Sequence, residues 1–448
     1  MASLRAASLF SGAGGLDWGF RELGFDIVFA SDVRGSAAET YARNFGLRVE
    51  ECSGRDAVEA RRGVVLLCDV ARVDFSQLEG VDAVVGGPPC QDFSLVRGPR
   101  RRGIEAERGR LYAHFARALA QIQPRIFVFE NVPGLKSSNG GLALAAVLRG
   151  FESLDESGRA QGYEIVFSDV VDFSGLGVPQ RRERLIVIGV RKDLVRGNSE
   201  LARLRKLAGR LRGLGLLRRY PLTPIEVFEG RVLPDLQGEY REVMRKWEGV
   251  WLEAGTPRAW EWKREVWDRL AFDAVEDYLA ANGVGQAEES ELEEAWRRHR
   301  AVLEELGYYG RRVCEDPPAD STCLPPLNRE SVVERLKRIP PGENHEFVRG
   351  TQWQVEGRGI SLVYGRIHPL KPSPTVVAHG GGGTHGYHYD RDRAALSLRE
   401  RARLQTFPDS FLFSGRRAEV RAQIGEAVPP LASKRIAEAA AELIRSTY

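Results

Sequence analysis

Short apolar runs recur through the first 190 residues, each bounded by polar or turn-forming positions. AASLF, DIVFAS, VVLL, DAVVG, RIFVFE, EIVFSDV and RLIVIGV are continuous rather than alternating, and rich in Val, Ile and Phe. Continuous apolar character marks strands buried on both faces. Helical patterns such as GSAAETYARNF and LYAHFARALAQIQ lie between them. Strands alternating with helices predict an α/β fold, a parallel sheet with helices on both faces, over residues 1–190.

Beyond this point the pattern changes to Arg, Glu and Leu without strand runs. YREVMRKWEGVWLEAGTPRAWEWKREVWDRLAFDAVEDYLAANG reads as helix broken once, at Gly255–Pro257, with Trp247 and Trp251 on one face. Six tryptophans fall between Trp247 and Trp296. They read as a small helical core in preference to a base-stacking platform. DPPADSTCLPP reads as a linker, AHGGGGTHGYHYD as a Gly- and His-rich loop. A helix, a turn and a closing amphipathic helix from about Ala432 end the chain. No internal repeat is visible.

Composition adds exclusions. Apolar content of 43% and charged content of 28% fit a soluble globular protein. No stretch of about 18 apolar residues exists, so no membrane association is expected. The N-terminus enters a strand almost at once and leaves no room for a signal peptide, which predicts a cytoplasmic location. A net charge of +3 excludes a polycation. Arginine supplies nearly all the positive charge; it suits phosphate and guanine edges, but GC-rich codons favour it too. Arginine position is therefore more informative than arginine number. Five cysteines, an odd number without CxxC spacing, argue against a disulfide framework and against zinc. Cys52 and Cys68 read as small buried or half-buried residues. His379, His385 and His388 are poorly spaced for a metal, and none is expected.

Candidate chemistry clusters where strands end. In SLFSGAGGLDWGF a strand gives way to a glycine turn and a helix; Gly12, Gly14 and Gly15 let a ligand approach the backbone closely. The spacing is not the GxGxxG dinucleotide fingerprint. Asp32 ends the next strand, where a carboxylate can grip ribose hydroxyls, Phe10 can stack on adenine, and Asp69 ends a third strand. In GGPPCQDFS, Pro88 and Pro89 stop the strand and bring Cys90 out at its carboxyl end, the edge where open parallel sheets bind ligands. FVFENVPGL delivers Glu130 and Asn131 to that edge. Arg182 and Arg184, two residues apart at the start of RLIVIGV, point the same way.

These blocks resemble the DNA (cytosine-5)-methyltransferases. LFSGAGG, GGPPCQDFS, FVFENVPGL, VPQRRERLIVIG, RERARLQTFPD and IGEAVPP stand in that family's order and span both ends of the chain. The resemblance implies a Rossmann-like S-adenosylmethionine-dependent methyltransferase sheet with a smaller target-recognition domain. The catalytic domain would comprise residues 1–190, the target-recognition domain 191–395, and 396–448 would return to the catalytic domain, its final helix packing beside the first strand. It implies Cys90 as nucleophile on C6 of a cytosine flipped out of double-stranded DNA, with Glu130, Arg182 and Arg184 around the ring. Phe10, Gly12, Gly14, Asp32, Asp69, Val70, Pro89, Leu111 and Val428 would line the cofactor site. Gln91, Ser94, Arg97, Arg100, Arg101 and Arg102, on a loop from Ser94 to Gly109, would contact DNA. Two positions depart from the family pattern: Glu426 replaces the usual Asn, and Val33 stands where an aromatic residue is common.

The resemblance points to a monomeric enzyme of a prokaryotic restriction–modification system, with a cognate endonuclease as functional partner. A tRNA cytosine-5 methyltransferase is the nearest alternative, and the sizeable region between QRRER and RERARLQTFPD argues for duplex DNA. Intact Cys90, Glu130 and Arg184 argue against a non-catalytic binding protein. The absent pyrophosphate turn argues against a nicotinamide oxidoreductase.

Overall fold

Every apolar run becomes a strand in the computed structural model, which describes residues 3–53, 57–89, 111–154, 160–213, 215–355, 363–379 and 386–447. The strands are β1 (Arg5–Leu9), β2 (Asp26–Asp32), β3 (Arg48–Glu51), β4 (Val58–Glu59), β5 (Val64–Leu67), β6 (Val73–Asp74), β7 (Ala83–Gly86), β8 (Ile126–Asn131), β9 (Tyr163–Asp172) and β10 (Glu183–Arg191). Eight form one sheet in the order β3-β5-β2-β1-β7-β8-β10-β9; β4 and β6 pair separately. The sequence misses β3, whose residues RVEE carry no buried apolar run because it is an exposed edge strand.

The sheet is not wholly parallel as expected. β10 runs antiparallel to both β8 and β9. A parallel connection needs a dozen or more residues, usually with a helix. The path from β9 to β10 is shorter, and the Phe173 N–H donates back to the Arg182 carbonyl at 3.0 Å. The chain therefore doubles back.

Two units emerge. The first comprises Met1–Leu176, Arg182–Leu214 and Ala427–Tyr448; the second comprises Gly177–Arg181 and Gly215–Glu426. The boundaries fall later than the sequence places them, at 214 instead of 190 and at 427 instead of 396. In the first unit, helices α1 (Gly15–Glu22), α2 (Gly35–Phe45), α3 (Leu111–Ile122), α4 (Leu142–Glu152) and α5 (Asn198–Ala208) cover the sheet. Leu204 and Ala208 of α5 are fully buried, and Arg210 just beyond it pairs with Glu442 at 2.9 Å, which ties this stretch to the sheet unit.

The core beneath α3 and α4 is aromatic. Phe115, Phe127, Phe129, Phe151 and Tyr163 pack mostly edge to face, with ring centroids 4.8–6.1 Å apart. The closing helix runs from Pro430 to Ser446 and packs on α1. Gly19 sits at that crossing, where a side-chain carbon would strike the backbone of Ser433 and Lys434. The Ser433 hydroxyl donates to the Leu16 carbonyl there.

In the second unit the tryptophan-rich stretch breaks more often than the sequence predicts. After α6 (Pro224–Glu229), it falls into α7 (Gln237–Arg245), α8 (Val250–Ala254), α9 (Pro257–Glu265) and α10 (Ala274–Ala281), followed by α11 (Glu289–Glu305). Gly249 and Gly255 take φ of 77° and 64° and bound α8, the first before its start and the second at its end. Trp247 thus lies in a break and shares no helix with Trp251. Both still enter one aromatic core with Trp262, Trp267, Phe347 and Trp353.

The expected absence of disulfides is overturned. Cys52 and Cys68 are bonded, with Cα atoms 5.4 Å apart, and so are Cys314 and Cys323, at 5.6 Å. Glu51 lies beside Leu67 in the β3–β5 register, so the next residues on each strand become neighbours. Residue spacing cannot show a closure set by strand pairing.

A buried ion pair joins α6 to α11. The Glu226 carboxylate accepts from the Thr223 N–H and hydroxyl, the Leu233 N–H and His299 Nδ1, all at 2.7–3.1 Å. His299 Nε2 faces the Tyr220 carbonyl at 2.9 Å. Both ring nitrogens face acceptors, which requires the imidazolium. Burial pushes His299 down, but the Glu226 charge and the hydrogen bonds outweigh it, and the net direction is up.

Two outcomes are expected. Because the folded value of His299 lies above the unfolded one, its contribution is complete below about pH 6.5 and is lost as pH rises through the folded value. Denaturant melts against pH will show that decline in the wild type. His299→Gln will flatten it and cost about 3–5 kcal/mol at pH 6, since Glu226 stays buried without its counter-charge. Separately, Cys52→Ser will lower stability by up to ~3 kcal/mol, the value for closing a loop of about 15 residues. Calorimetry with and without reductant reads this, and reductant will not further destabilise a Cys52→Ser, Cys314→Ser double variant.

Candidate active site

Strand register lines up one edge of the sheet. Leu9 lies opposite Ser31 and Gly86, Asp32 opposite Leu67, Gly86 opposite Phe129, and Asn131 opposite Leu185. The residues that follow emerge as a row: Phe10–Gly12, Asp32–Val33, Cys68–Asp69, Gly87–Pro89 and Glu130–Asn131. Because β10 is antiparallel, its beginning reaches this edge, bringing Arg182 and Arg184.

Glu130 and Arg184 meet there, Oε1 to Nε at 3.0 Å, with side chains 12% and 15% exposed. Glu130 pairs with Ile186 in the ladder, so Arg184 is its diagonal neighbour and reaches it with a long side chain. Burial raises the Glu130 carboxyl above its ordinary value; Arg184 and Arg182 pull it back without cancelling the rise. Arg182 is fully buried, and its Nη2 donates to the Ala427 carbonyl at 2.8 Å. Burial and the Arg184 charge push it down to about 9, opposed by Glu130, so it stays cationic at neutral pH.

The adjoining turn is pinned. Asn131 Nδ2 donates to the Pro88 carbonyl at 3.0 Å, and its Oδ1 accepts from the Val132 N–H at 2.9 Å. Gly87 faces the Glu130 carboxylate so closely that a side-chain carbon would sit 2.5 Å from Oε2. Sequence reading passes over this role of Gly87, although the glycine doublet before Pro88 is its signal. Cys90 lies outside the described residues, as do Gln91, Ser94, Arg97, Arg100, Arg101 and Arg102.

The nucleoside end of the row is built differently from the expectation. Asp32 Oδ2 accepts from the Gly12 N–H at 2.8 Å and Oδ1 from the Arg34 N–H at 2.9 Å. The carboxylate braces the glycine turn, and its remaining lone pairs are what it can offer a hydroxyl. Phe10, Gly12 and Gly14 have φ of 55°, 54° and 93°. Space is open beside Gly12, with no atom within 4 Å of where a side-chain carbon would lie. Asp69 is exposed and accepts from the Ala71 N–H; Val70 and Val428 are buried, Leu111 is half-buried and Pro89 exposed. Val33 is 69% exposed, a large apolar side chain without cover beside Asp32. An open glycine turn, an exposed carboxylate and an uncovered apolar side chain fit a nucleoside that carries hydroxyls and an adenine face.

The fold is that of the DNA methyltransferases. A prophage-encoded E. coli protein described as a DNA modification methyltransferase matches it with a TM-score of 0.57 at 22% identity, covering 99% of this chain and 100% of that one. The family model for C-5 cytosine-specific DNA methylase matches residues 4–442. The DNA (cytosine-5-)-methyltransferase M.ApeKI of Aeropyrum pernix is 62% identical, covering 99% of both chains. The Type II methyltransferase M.NgoFVII of Neisseria gonorrhoeae is 31% identical over 98% of this chain and 87% of its own length. This chain belongs to the C-5 cytosine-specific DNA methylase family, and it is an enzyme of that class.

Gly87→Ala tests the geometry. The added carbon will displace the Glu130 carboxylate while the strands stay paired. Methyl transfer is expected to fall at least tenfold with a melting temperature near that of the wild type.

Proposed function

We propose that the protein methylates C5 of a cytosine flipped out of double-stranded DNA, through a covalent bond to Cys90, within a prokaryotic restriction–modification system. The observation that carries this reading is the Glu130–Arg184–Arg182 cluster beside the pinned Gly87–Pro89 turn, one residue before Cys90. Cystines occupy the other four cysteines, so Cys90 is the sequence's remaining source of a nucleophilic thiol.

In this reading Cys90 thiolate adds to C6, and the two arginines favour the thiolate through their positive charge. Glu130, whose proton affinity burial has raised, holds a proton at N3 and offsets the charge that develops on the ring. Arg184 holds O2 and keeps Glu130 in place; Arg182 supports both from below. S-adenosylmethionine, when bound, supplies an electrophilic methyl group. Asp32 and Asp69 would hold its hydroxyls and amino group, with Phe10, Gly12, Gly14, Val70, Pro89, Leu111 and Val428 around them. Loss of the C5 proton to water then expels Cys90 and restores the double bond. Dividing an alkylation into addition, transfer and elimination lowers each barrier. Extruding the base costs a few kcal/mol, which contacts to backbone and base offset.

In this reading residues 94–109 contribute contacts to DNA, and the second unit reads the sequence around the target. No described helix is long and apolar enough to cross a membrane. The proposed setting is the cytoplasm, as a monomer, with the endonuclease a functional and not a physical partner.

Incubation with fluorocytosine-containing duplex DNA and S-adenosylmethionine is expected to trap an adduct that Cys90→Ala abolishes. Glu130→Gln is expected to bind DNA but lose about 10²–10³ in kcat, as for loss of one group that stabilises developing charge. An adduct on tRNA alone, or full activity in Cys90→Ala, overturns the reading.

A further inference from the structure

Helix α12 (Leu398–Leu404) buries three arginines on one turn and a half. Two are saturated. Arg399 donates to the Thr322 hydroxyl, Asp320 and the carbonyls of Pro408 and Phe411. Arg403 donates to Asp409 and to the carbonyls of Val227 and Arg311. A fourth buried arginine in this unit, Arg366, is likewise held by four carbonyls and Asp392.

Arg401 differs. It is 4% exposed, yet its guanidinium has no hydrogen-bond or ion-pair partner among the described residues. None of its nitrogens is among the polar atoms sealed from solvent. It lines a cavity of about 120 Å³ together with Gly342, Gly365, Ser373, Val377 and Gly386. A cavity of ~150 Å³ takes benzene, so a tetrahedral oxyanion fits this space. Gly386, with φ of 73°, lies beside Arg401 in this lining.

The surrounding charges do not neutralise it. Glu343 also lines the cavity, but its carboxylate takes both of its bonds from Arg258, at 2.9 and 3.2 Å. Glu400 accepts from Arg391 and from the Ser397 N–H. Burial and then the Arg421 charge lower Arg401 to about 10, opposed by Tyr387 and Glu400, which leaves it cationic at neutral pH. A desolvated cation that faces a cavity and has no ion-pair partner among the described residues is poised for an anion, and its planar fork matches a phosphate.

We propose that Arg401 and this cavity form an anion site that takes a phosphate group. Two sources share that chemistry, a phosphodiester of bound DNA and free phosphate. The first rests on the DNA-methylating function proposed above and is the one we favour.

The test compares wild type, Arg401→Met and Arg401→Lys by titrating a DNA duplex across a salt series and by melting each protein in phosphate against chloride at matched ionic strength. If the site holds a backbone phosphate, Arg401→Met reduces the slope of log K against log salt by about 0.9, the value for one phosphate, and Arg401→Lys retains it. If it holds free phosphate, the slope stays unchanged and phosphate protects the wild type but not Arg401→Met. Equal slopes and equal phosphate responses in wild type and Arg401→Met overturn the proposal. Should Arg401→Met not fold, Arg401→Gln against Arg401→Lys gives the same comparison. A wild type that forms no fluorocytosine adduct overturns the function while leaving the phosphate melts to judge the site.

Discussion

One antiparallel pairing, β10 against β8, organises the reactive edge of the sheet. In a parallel sheet the residues that lead into a strand lie at the edge opposite those that leave it. Arg184 would then stand a full strand length from Glu130. Reversal of β10 brings the start of one strand beside the end of the other. It sets the 3.0 Å contact between Glu130 and Arg184 and places the buried Arg182 beneath both. Burial raises the proton affinity of the carboxyl and the two cations oppose that rise without cancelling it, a balance suited to holding a proton on a base.

The same edge shows how rigidity is apportioned. Prolines stop β7, Asn131 fastens the Pro88 carbonyl, and Gly87 leaves room for the carboxylate opposite. At the other end Asp32 spends backbone-facing lone pairs on the Gly12 turn and on Arg34. In both places a side chain at a strand end orders the neighbouring loop, the Asn131 amide at one and the Asp32 carboxylate at the other. Buried charge is handled differently in the second unit. Glu226 and His299 satisfy each other, and Arg399, Arg403 and Arg366 are saturated with carbonyls and carboxylates. Against that background Arg401, whose guanidinium has no bonded partner among the described residues and lines a cavity, is conspicuous.

Much of this was legible in the residues alone. The seven apolar runs locate seven strands because a strand buried on both faces needs continuous apolar character. The glycine turn, the proline stop and the acid of FVFEN mark strand ends through local backbone rules. The closing helix was expected from Ala432 and begins at Pro430. Less legible were elements whose signal is not local. β3 lacks apolar residues because it lies at an exposed edge. Gly249 fragments a stretch with strong helical composition, since one residue with positive φ outweighs the propensity of its neighbours. The unit boundaries fall later because Leu204, Ala208 and Arg210 pack with the sheet unit, which composition does not report.

The chain by itself determined which groups the site contains, since strand ends, turns and residue chemistry follow from short-range pattern. Tertiary structure decided which of them meet. The direction of β10 depends on the length of one connection and on pairing with strands far away in sequence. The bonds Cys52–Cys68 and Cys314–Cys323 join cysteines whose spacing gives no sign of it. Whether an arginine is saturated or left facing a cavity is a matter of which carbonyls and carboxylates pack around it. Alternation and spacing carry information about neighbours along the chain, and these contacts are made by neighbours in space.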